Sequence, residues 1–279
     1  MKTDDPGINA ERQTGKRQNI LPHDSSELRG FGKRFYRERM GEDRFRSFVI
    51  TCKDSDLWIG VDADSYCHQM KSFALEKLIE LRYALESYIH LYPEFQASFV
   101  PVKTKPEDPA IAVEMSKAAQ IAGTGPMAAV AGAFAEFIGK ALLKEFKIDE
   151  IVIENGGDIF LQLKHNLVLS IYAGESALTG KLGLEIPALA TPLGVCTSSG
   201  TVGPSISFGR ADAIVIASKN TALADAFASA YGNKVKSAND ISDVIKLIRK
   251  NKKILSSVII CEGKAGICGQ FNIKPTSKA

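Results

Sequence analysis

The sequence predicts an α+β fold in which an antiparallel sheet packs against grouped helices. Short apolar segments fill the second half of the chain, and most of the turns between them are too short for a helical crossover, which favours antiparallel pairing. One long segment, His68 to Tyr92, repeats apolar residues at three- and four-residue steps, as in an amphipathic helix. The composition, 45% hydrophobic and 24% charged over 279 residues, is ordinary for a soluble globular protein.

The first half of the chain predicts a hairpin followed by helices. The segments FRSFVIT and DLWIGVDA alternate apolar and polar residues on either side of the polar turn KDSD, so we expect two paired strands. The helix over His68–Tyr92 is expected to end at Pro93. A second helix is predicted from about Val113 to Ala122, and a third, rich in small residues, begins near Pro126, which suits a first helical turn.

The second half predicts mainly strands, with a helix at about Thr221–Tyr231 and another at about Asp240–Arg249. The predicted strands are EIVIEN, DIFLQL, LVLSIYA, KLGLEIP, LGVCTS, AIVIAS, LSSVIIC and GICGQFNI. We expect one domain over residues 30–275, preceded by a flexible polar segment over residues 1–29. The basic run Gly32–Met40 is interpreted as a solvated first strand, with an anion-binding patch as the alternative.

Charge and cysteine content narrow the classes of partner. Lys and Arg number 35 against 32 Asp and Glu, and this balance does not favour nucleic acid or an anionic membrane as a partner. We expect that no apolar run approaches the ~20 residues needed to span a bilayer, and that the N-terminus lacks a signal peptide's apolar core. Five scattered cysteines form no Cys-x-x-Cys pair, so neither a zinc site nor a disulfide framework is predicted. We expect a cytoplasmic protein, for which a homo-oligomer is also compatible with the sequence.

The stretch ENGGD lies between two apolar runs, and its Asn-Gly pair, Asn155 and Gly156, predicts a tight β-hairpin. A type I′ turn needs positive φ at both central positions, and this requirement alone explains an Asn-Gly pair. The second glycine, Gly157, and the two acidic neighbours, Glu154 and Asp158, exceed what such a turn is expected to require. Bare glycine backbone also lets N–H groups approach a phosphate. The residues are consistent with a turn alone and with a turn that lines a ligand site.

The segment GTGPMA, from Gly123 to Ala128, matches the dinucleotide pattern G-x-G-x-x-A. A Rossmann site is rejected because the preceding SKAAQIA is helical, whereas that pattern must follow a strand. Two interpretations stay open. In one, the helix start near Gly125 presents free N–H groups to a phosphate. In the other, Gly and Ala allow close helix packing.

A hydroxyl-rich loop, CTSSGTVGPS, follows the apolar LGV. Its density of hydroxyl groups favours binding of a phosphate or ribose, although Ser and Gly are also ordinary loop formers. The candidate binding residues are Thr197, Ser198, Ser199, Gly200 and Thr201.

Asp225 and Ser229 are four residues apart in a predicted helix, which places a carboxylate and a hydroxyl on one face. Hard oxygen ligands of this kind suit Mg²⁺, which takes few protein ligands and completes its shell with phosphates and water. The alternative is that Asp225 only favours the dipole of the helix N-terminus.

Three segments then occur in one order: GTGPMAAVAGAFAE, ENGGDI, and CTSSGTVGPSISFGRADA with LADAFASAYGN. Together they resemble the UPF0280 (DUF375) family of the ApbE-like superfamily, from about Tyr36 to Ile273. The resemblance implies a T-fold-like architecture. ApbE proteins bind FAD, and many use Mg²⁺ to transfer FMN onto a Thr or Ser of a target protein.

The resemblance can be followed residue by residue. Gly156, Gly157 and Asp158 look like the family's Gly-Gly-Asp element, and Asp225 with Ser229 looks like its magnesium element. The region from Gly125 to Ala128 is similar to the helix start that gives a backbone carbonyl to the metal, but Ala129 stands where the family often has Lys.

One departure concerns catalysis. Many transferases carry a His-containing segment that ends in Asp-Pro-x-Thr-Gly, and here the interval is GTVGPSISFGRADA, with Pro204 and Arg210 and no His. We therefore expect a protein that binds a flavin nucleotide, FAD or FMN, or a related phosphorylated ligand, with Mg²⁺. The alternatives are an FMN transferase with an atypical base and a non-catalytic scaffold.

Overall fold

The computed structural model describes residues 44–201 and 208–276, and an eight-stranded antiparallel sheet lies at its centre. The strands are β1 Phe45–Cys52, β2 Ser55–Asp62, β3 Ile151–Asn155, β4 Asp158–Gln162, β5 Leu167–Ser170, β6 Leu182–Ile186, β7 Leu193–Ser198, β8 Ala213–Ser218, β9 Ile254–Cys261, β10 Lys264–Gly269 and β11 Ile273–Pro275. The helices are α1 Gln69–Leu91, the single turn α2 Glu94–Ala97, α3 Ala110–Ala122, α4 Val130–Glu145, α5 Thr221–Gly232 and α6 Ile241–Arg249.

The large sheet has the strand order β1-β2-β3-β4-β7-β8-β9-β10, and every neighbouring pair is antiparallel. Chain neighbours pair throughout except between β4 and β7, where β5 and β6 leave to form a three-stranded sheet with β11. The α+β prediction is therefore confirmed. The long connections β2–β3 and β8–β9 are helical, and they bring α4 and α5 into contact over the middle of the large sheet.

Both faces of the large sheet are covered, which explains why its central strands are apolar throughout. In β3, Ile151 and Ile153 point into the core beneath the helices, while Val152 points into a second core against the small sheet. In β8, Ile214 and Val215 divide between the same two cores. Because successive side chains of a strand point to opposite faces, a strand buried on both sides needs apolar residues at every position.

Several boundaries differ from the sequence prediction for local reasons. Helix α3 begins at Ala110 rather than near Val113, directly after Pro109, whose restricted φ suits the position before a first turn. The predicted strand GICGQFNI is two strands. The chain breaks at Gly269, where φ is +116° and an added Cβ would lie 2.3 Å from Ser256 Cα, and β11 then joins the small sheet. The predicted flexible segment 1–29 and the predicted strand Gly32–Met40 lie outside the described residues.

One helical stretch, Pro126–Glu145, has the length and apolar composition of a membrane span. The expectation that no apolar run approaches that length is therefore wrong for this segment. Within its most apolar 18-residue window, 56% is buried inside the protein, where α4 contacts β3, β4 and α5. Its glycines permit this packing, since a Cβ at Gly139 would lie 2.3 Å from the ring of Phe160.

Candidate functional site

The Gly-Gly-Asp hairpin joins β3 to β4 at the centre of the large sheet. Asn155 pairs with Asp158, so the central turn residues are Gly156 (φ +68°) and Gly157 (φ +100°). The predicted hairpin is confirmed. The expectation that Gly157 exceeds the needs of the turn is wrong, because both glycines occupy the two positive-φ positions of a tight hairpin. The Gly157 N–H donates to Glu154 Oε1 at 2.7 Å, which fixes the turn from within.

Asp158 is the first residue of β4 and lies opposite Cys196 of β7. Its side chain is buried, and within the described part of the chain its Oδ1 atom has no hydrogen-bond partner. Burial, and then the negative charges of Asp225 and Glu154, raise the pKa of Asp158 well above its usual range, although the Cys196 thiol and the Thr197 N–H oppose the shift. A buried carboxyl oxygen without a donor is costly and favours either a proton or a cation beside it.

Asp225 approaches Asp158 from α5. Its Oδ2 atom accepts a hydrogen bond from the N–H of Gly132, near the start of α4, at 2.9 Å. Burial raises the pKa of Asp225 to about 7, and the Gly132 and Ala131 N–H groups limit the shift. Ser229 follows one turn later in α5 and is partly buried. In residues 44–201 and 208–276, no three His, Cys, Asp or Glu side chains converge as a metal site. The protein alone thus supplies few metal ligands here.

The hydroxyl-rich segment divides into two parts. Thr197, at the end of β7, borders the hairpin, since a Cβ at Gly157 would lie 3.7 Å from its carbonyl oxygen, and Ser198 borders Gly232 of α5. Beyond the strand, the chain turns into an exposed loop in which the Thr201 N–H donates to Ser199 Oγ at 3.1 Å.

Glycines hold this loop against α5. The Gly200 N–H donates to the carbonyl of Ala211 at 2.9 Å. An added Cβ at Gly200 would lie 2.3 Å from the Gly209 carbonyl oxygen, and one at Gly209 would lie 2.0 Å from that of Gly232. Close backbone packing therefore accounts for glycine at both positions of the loop.

The other predicted residues lie on two sides of this centre. The Asn155 side chain donates to the carbonyl oxygen of Ala131 at 3.1 Å, so it ties the hairpin to the start of α4. Gly125 precedes a 3-10 turn, and an added Cβ there would lie 1.8 Å from the carbonyl oxygen of Ser98. Close backbone packing accounts for glycine at this position. The structure thus brings Asn155, Asp158, Thr197 and Asp225 together, with Gly125 in a neighbouring segment.

Two aromatic residues border these glycine segments, and the sequence reasoning missed them. Phe99 follows Ser98, which packs against Gly125, and Phe208 precedes Gly209. Their rings lie 5.4 Å apart at an interplanar angle of 72°, and the residues are 62% and 55% exposed. The only sequence signal was an aromatic residue in each of two polar, glycine- or proline-rich segments.

The described histidines belong to other parts of the fold. His68 precedes α1 and packs edge-on against Tyr66, and His90 is in the last turn of α1. His165 follows β4 at the end opposite Asp158, and its carbonyl oxygen accepts from Arg44. Among the residues that the structure describes, the ionisable groups at the hairpin are therefore carboxyls and one thiol, Cys196, whose pKa is raised by burial and by the two aspartates.

Comparisons with known proteins agree with this architecture. A model of the family described as AbpE bacteria matches residues 37–249. A UPF0280 protein of Methanococcus aeolicus is 42% identical over 80% of this chain and 89% of its own length. Another, from Methanocaldococcus jannaschii, is 36% identical over 80% and 90%. Among solved structures, the ApbE protein of Thermotoga maritima superposes with a TM-score of 0.52 at 13% identity, covering 82% of this chain and 96% of that one, and so shares its fold. The chain belongs to the UPF0280 family of ApbE-like proteins.

Proposed function

We propose that this protein binds a flavin nucleotide, FAD or FMN, together with Mg²⁺, at the junction of the Gly-Gly-Asp hairpin, β7 and α5. The observation that carries the proposal is the buried Asp158 Oδ1 atom, which has no hydrogen-bond partner among the described residues and faces the repulsion of Asp225. A cation beside the two carboxyls would remove both penalties. A phosphorylated ligand would then complete the charge balance.

The donor set fits Mg²⁺ better than a softer metal. Mg²⁺ is commonly held by one or two carboxylates, with substrate phosphates and water completing an octahedron. Asp225 and Asp158 would supply the carboxylates, and the Ser229 hydroxyl lies one helical turn from Asp225. When bound, the ion would neutralise phosphate charge. The Gly157 N–H already donates to Glu154 and the Asn155 amide to Ala131, so these residues would shape the turn. The Gly156 backbone would approach the phosphates, and Thr197 and Ser198 would offer hydroxyl groups.

The aromatic pair supports a ligand with a planar ring. Phe99 and Phe208 are both more than half exposed, although they contact one another. Contacts between these rings and a planar ligand would add about 0.5–1.5 kcal/mol beyond the area that they bury. The flavin itself is inferred from the family resemblance of the three sequence segments.

A thermal-shift screen of FAD, FMN, other nucleotides and divalent ions tests the proposal. A ligand at 100 times its Kd should stabilise the protein by about 2.7 kcal/mol. We expect stabilisation by FAD or FMN that increases with Mg²⁺ and is lost in Asp225→Asn. The matched control is Asp243→Asn, which changes an exposed aspartate of α6 paired with Lys246. Absence of any flavin or Mg²⁺ effect on the wild-type protein would refute the proposal and favour a scaffold.

Mg²⁺-dependent transfer of FMN from FAD to a protein hydroxyl, which breaks the pyrophosphate bond and releases AMP, is a second candidate. It is favoured by the buried Asp158 carboxyl, whose Oδ1 atom accepts no hydrogen bond from the described residues, because a positioned carboxyl can act as a general base. Against it, the described histidines lie in other elements, as set out above. We expect little or no mass increase of a Ser/Thr acceptor peptide incubated with protein, FAD and Mg²⁺. Robust transfer that is abolished in Asp158→Asn would establish the enzyme instead.

A further inference from the structure

Helices α4 and α5 are joined by a buried carboxylate that no step of the proposed ligand binding uses. Glu136, in the second turn of α4, is 3% exposed. Its Oε2 atom accepts from the Thr221 N–H at 2.6 Å and from the Ala222 N–H at 3.4 Å, at the start of α5. Its Oε1 atom accepts from Lys140 Nζ at 2.6 Å, and Lys140 reaches solvent. Together with the Asn220 cap, which accepts from the Leu223 N–H, the first three N–H groups of α5 all have acceptors.

A second contact joins the same two helices one turn away. Gly132 donates its N–H to Asp225 Oδ2, so residues 132 and 136 of α4 meet residues 225 and 221 of α5. Because residues four apart lie on one helix face, the two contacts join the same face of α4 to the same face of α5. The two helices pack closely at this point, because a Cβ at Gly132 would lie 2.6 Å from the Thr221 carbonyl oxygen and 2.9 Å from Asp225 Cβ.

We propose that Glu136 is a positioning residue for Asp225. By holding the first turn of α5 against α4, it sets the position of the Asp225 carboxylate relative to the Gly132 N–H and to Asp158. The consequence for Mg²⁺ rests on the proposed function, whereas the geometric role of Glu136 does not. Because Glu136 and Asn220 accept the first N–H groups of α5, these groups are not free to bind a phosphate.

The competing explanation is that Glu136 contributes only a buried charge to stability. Two substitutions separate the effect of side-chain length from the effect of charge. Glu136→Gln keeps the length of the side chain and an oxygen acceptor but loses the charge. Glu136→Asp keeps the charge but is one methylene shorter, so the carboxylate withdraws from Thr221. Ile138→Ala, a fully buried position of the same helix, serves as the control for destabilisation without loss of a polar contact.

The direct readout is amide hydrogen exchange of Gly132, measured by NMR on the full chain, because this N–H donates to Asp225. We expect Glu136→Asp to accelerate Gly132 exchange about tenfold relative to Ile138→Ala, as for the loss of one hydrogen bond to a charged group. Glu136→Gln should remain within about threefold of wild type, because its acceptor is retained. In a MgCl₂ titration with saturating FAD, the affinity for Mg²⁺ should fall in the same order.

Each outcome decides one question. Gly132 exchange in Glu136→Asp that matches Ile138→Ala, or greater disturbance in Glu136→Gln than in Glu136→Asp, would overturn the positioning role. If wild-type protein does not respond to MgCl₂ with FAD, the proposed function fails, while the exchange data still decide whether Glu136 positions Asp225. Altered exchange at Gly132 with unchanged Mg²⁺ affinity would overturn the link between this contact and the metal.

Discussion

Replacing Asp225 with Asn should stabilise the metal-free protein at neutral and alkaline pH. Asn keeps the shape of the side chain and an oxygen that can accept from the Gly132 N–H, but it carries no charge. In the wild-type protein, burial raises the pKa of Asp225 to about 7 from an ordinary value of 3.8. A carboxyl whose pKa is higher in the folded state costs stability above its unfolded pKa, and the cost grows until the pH passes the folded pKa.

The size of this loss of stability follows from the shift in the pKa of Asp225. Each unit of pKa corresponds to about 1.4 kcal/mol, so the raised pKa costs about 4 kcal/mol at pH 8, where Asp225 is ionised in both states. At pH 5 the cost is about 2 kcal/mol, because the folded protein then holds the proton that the unfolded chain has largely lost. Asp225 is only partly buried, and solvent screening lowers these figures, so we expect Asp225→Asn to gain about 2 kcal/mol at pH 8. For a chain of this size, that gain corresponds to a rise in Tm of roughly 5 °C.

Urea unfolding of wild type and Asp225→Asn at pH 5 and pH 8, with EDTA present, measures the effect. The difference in unfolding free energy between the two proteins should increase with pH. Added MgCl₂ with FAD should then stabilise the wild type and leave the variant unchanged. A variant that is less stable than wild type by about 0.3–1 kcal/mol at both pH values would refute the reasoning and favour a helix-dipole role for Asp225.

Three further predictions use other parts of the structure. The Arg44 guanidinium and two backbone N–H groups outweigh burial and lower the pKa of Glu150 to about 2. Glu150→Gln should therefore lower the free energy of unfolding by about 2–3 kcal/mol at pH 7, measured by urea unfolding. The difference between the two proteins should shrink as the pH falls from about 4.5 towards 2. Gly157→Ala and its control Gly263→Ala both place a Cβ at positive φ with room around it, so each should lose about 1 kcal/mol of stability, but only the first should weaken flavin binding in a fluorescence titration. Equal flavin affinity in both would support a turn without a ligand. Phe99→Ala should weaken FMN binding about threefold to tenfold through loss of ring contact, and an unchanged Kd would exclude Phe99 from the site.

Local patterns in the sequence were enough for most of the fold. The period of apolar residues predicted α1, and the short apolar segments with tight turns predicted an antiparallel sheet, because side-chain direction alternates along a strand and repeats every 3.6 residues along a helix. The Asn-Gly signal located the β3–β4 hairpin, although the turn uses Gly156 and Gly157 as its central pair. The motif order also led to the ApbE-like family, which the comparisons confirm.

Two aspects of the sheet were outside the reach of the sequence. Periodicity does not report pairing between distant segments, so the departure of β5 and β6 into a second sheet was not predicted. The short β11 was merged with β10, because the break depends on Gly269 packing against the backbone of Ser256 rather than on any local pattern.

In the candidate site, too, the sequence and the tertiary structure each determined a different part. By itself, the sequence determined which residues carry suitable chemistry, including Asp158, Asp225 and the hydroxyls that end β7. Only the tertiary structure decided that the two carboxyls lie close enough for Asp225 to raise the pKa of Asp158, and that Glu136 reaches the start of α5 from 85 residues away in the chain. The physical reason is that these contacts depend on how closely α4 approaches α5. That approach is set by the absence of a side chain at Gly132 and by the register of two helices on a shared sheet, neither of which has a local signature.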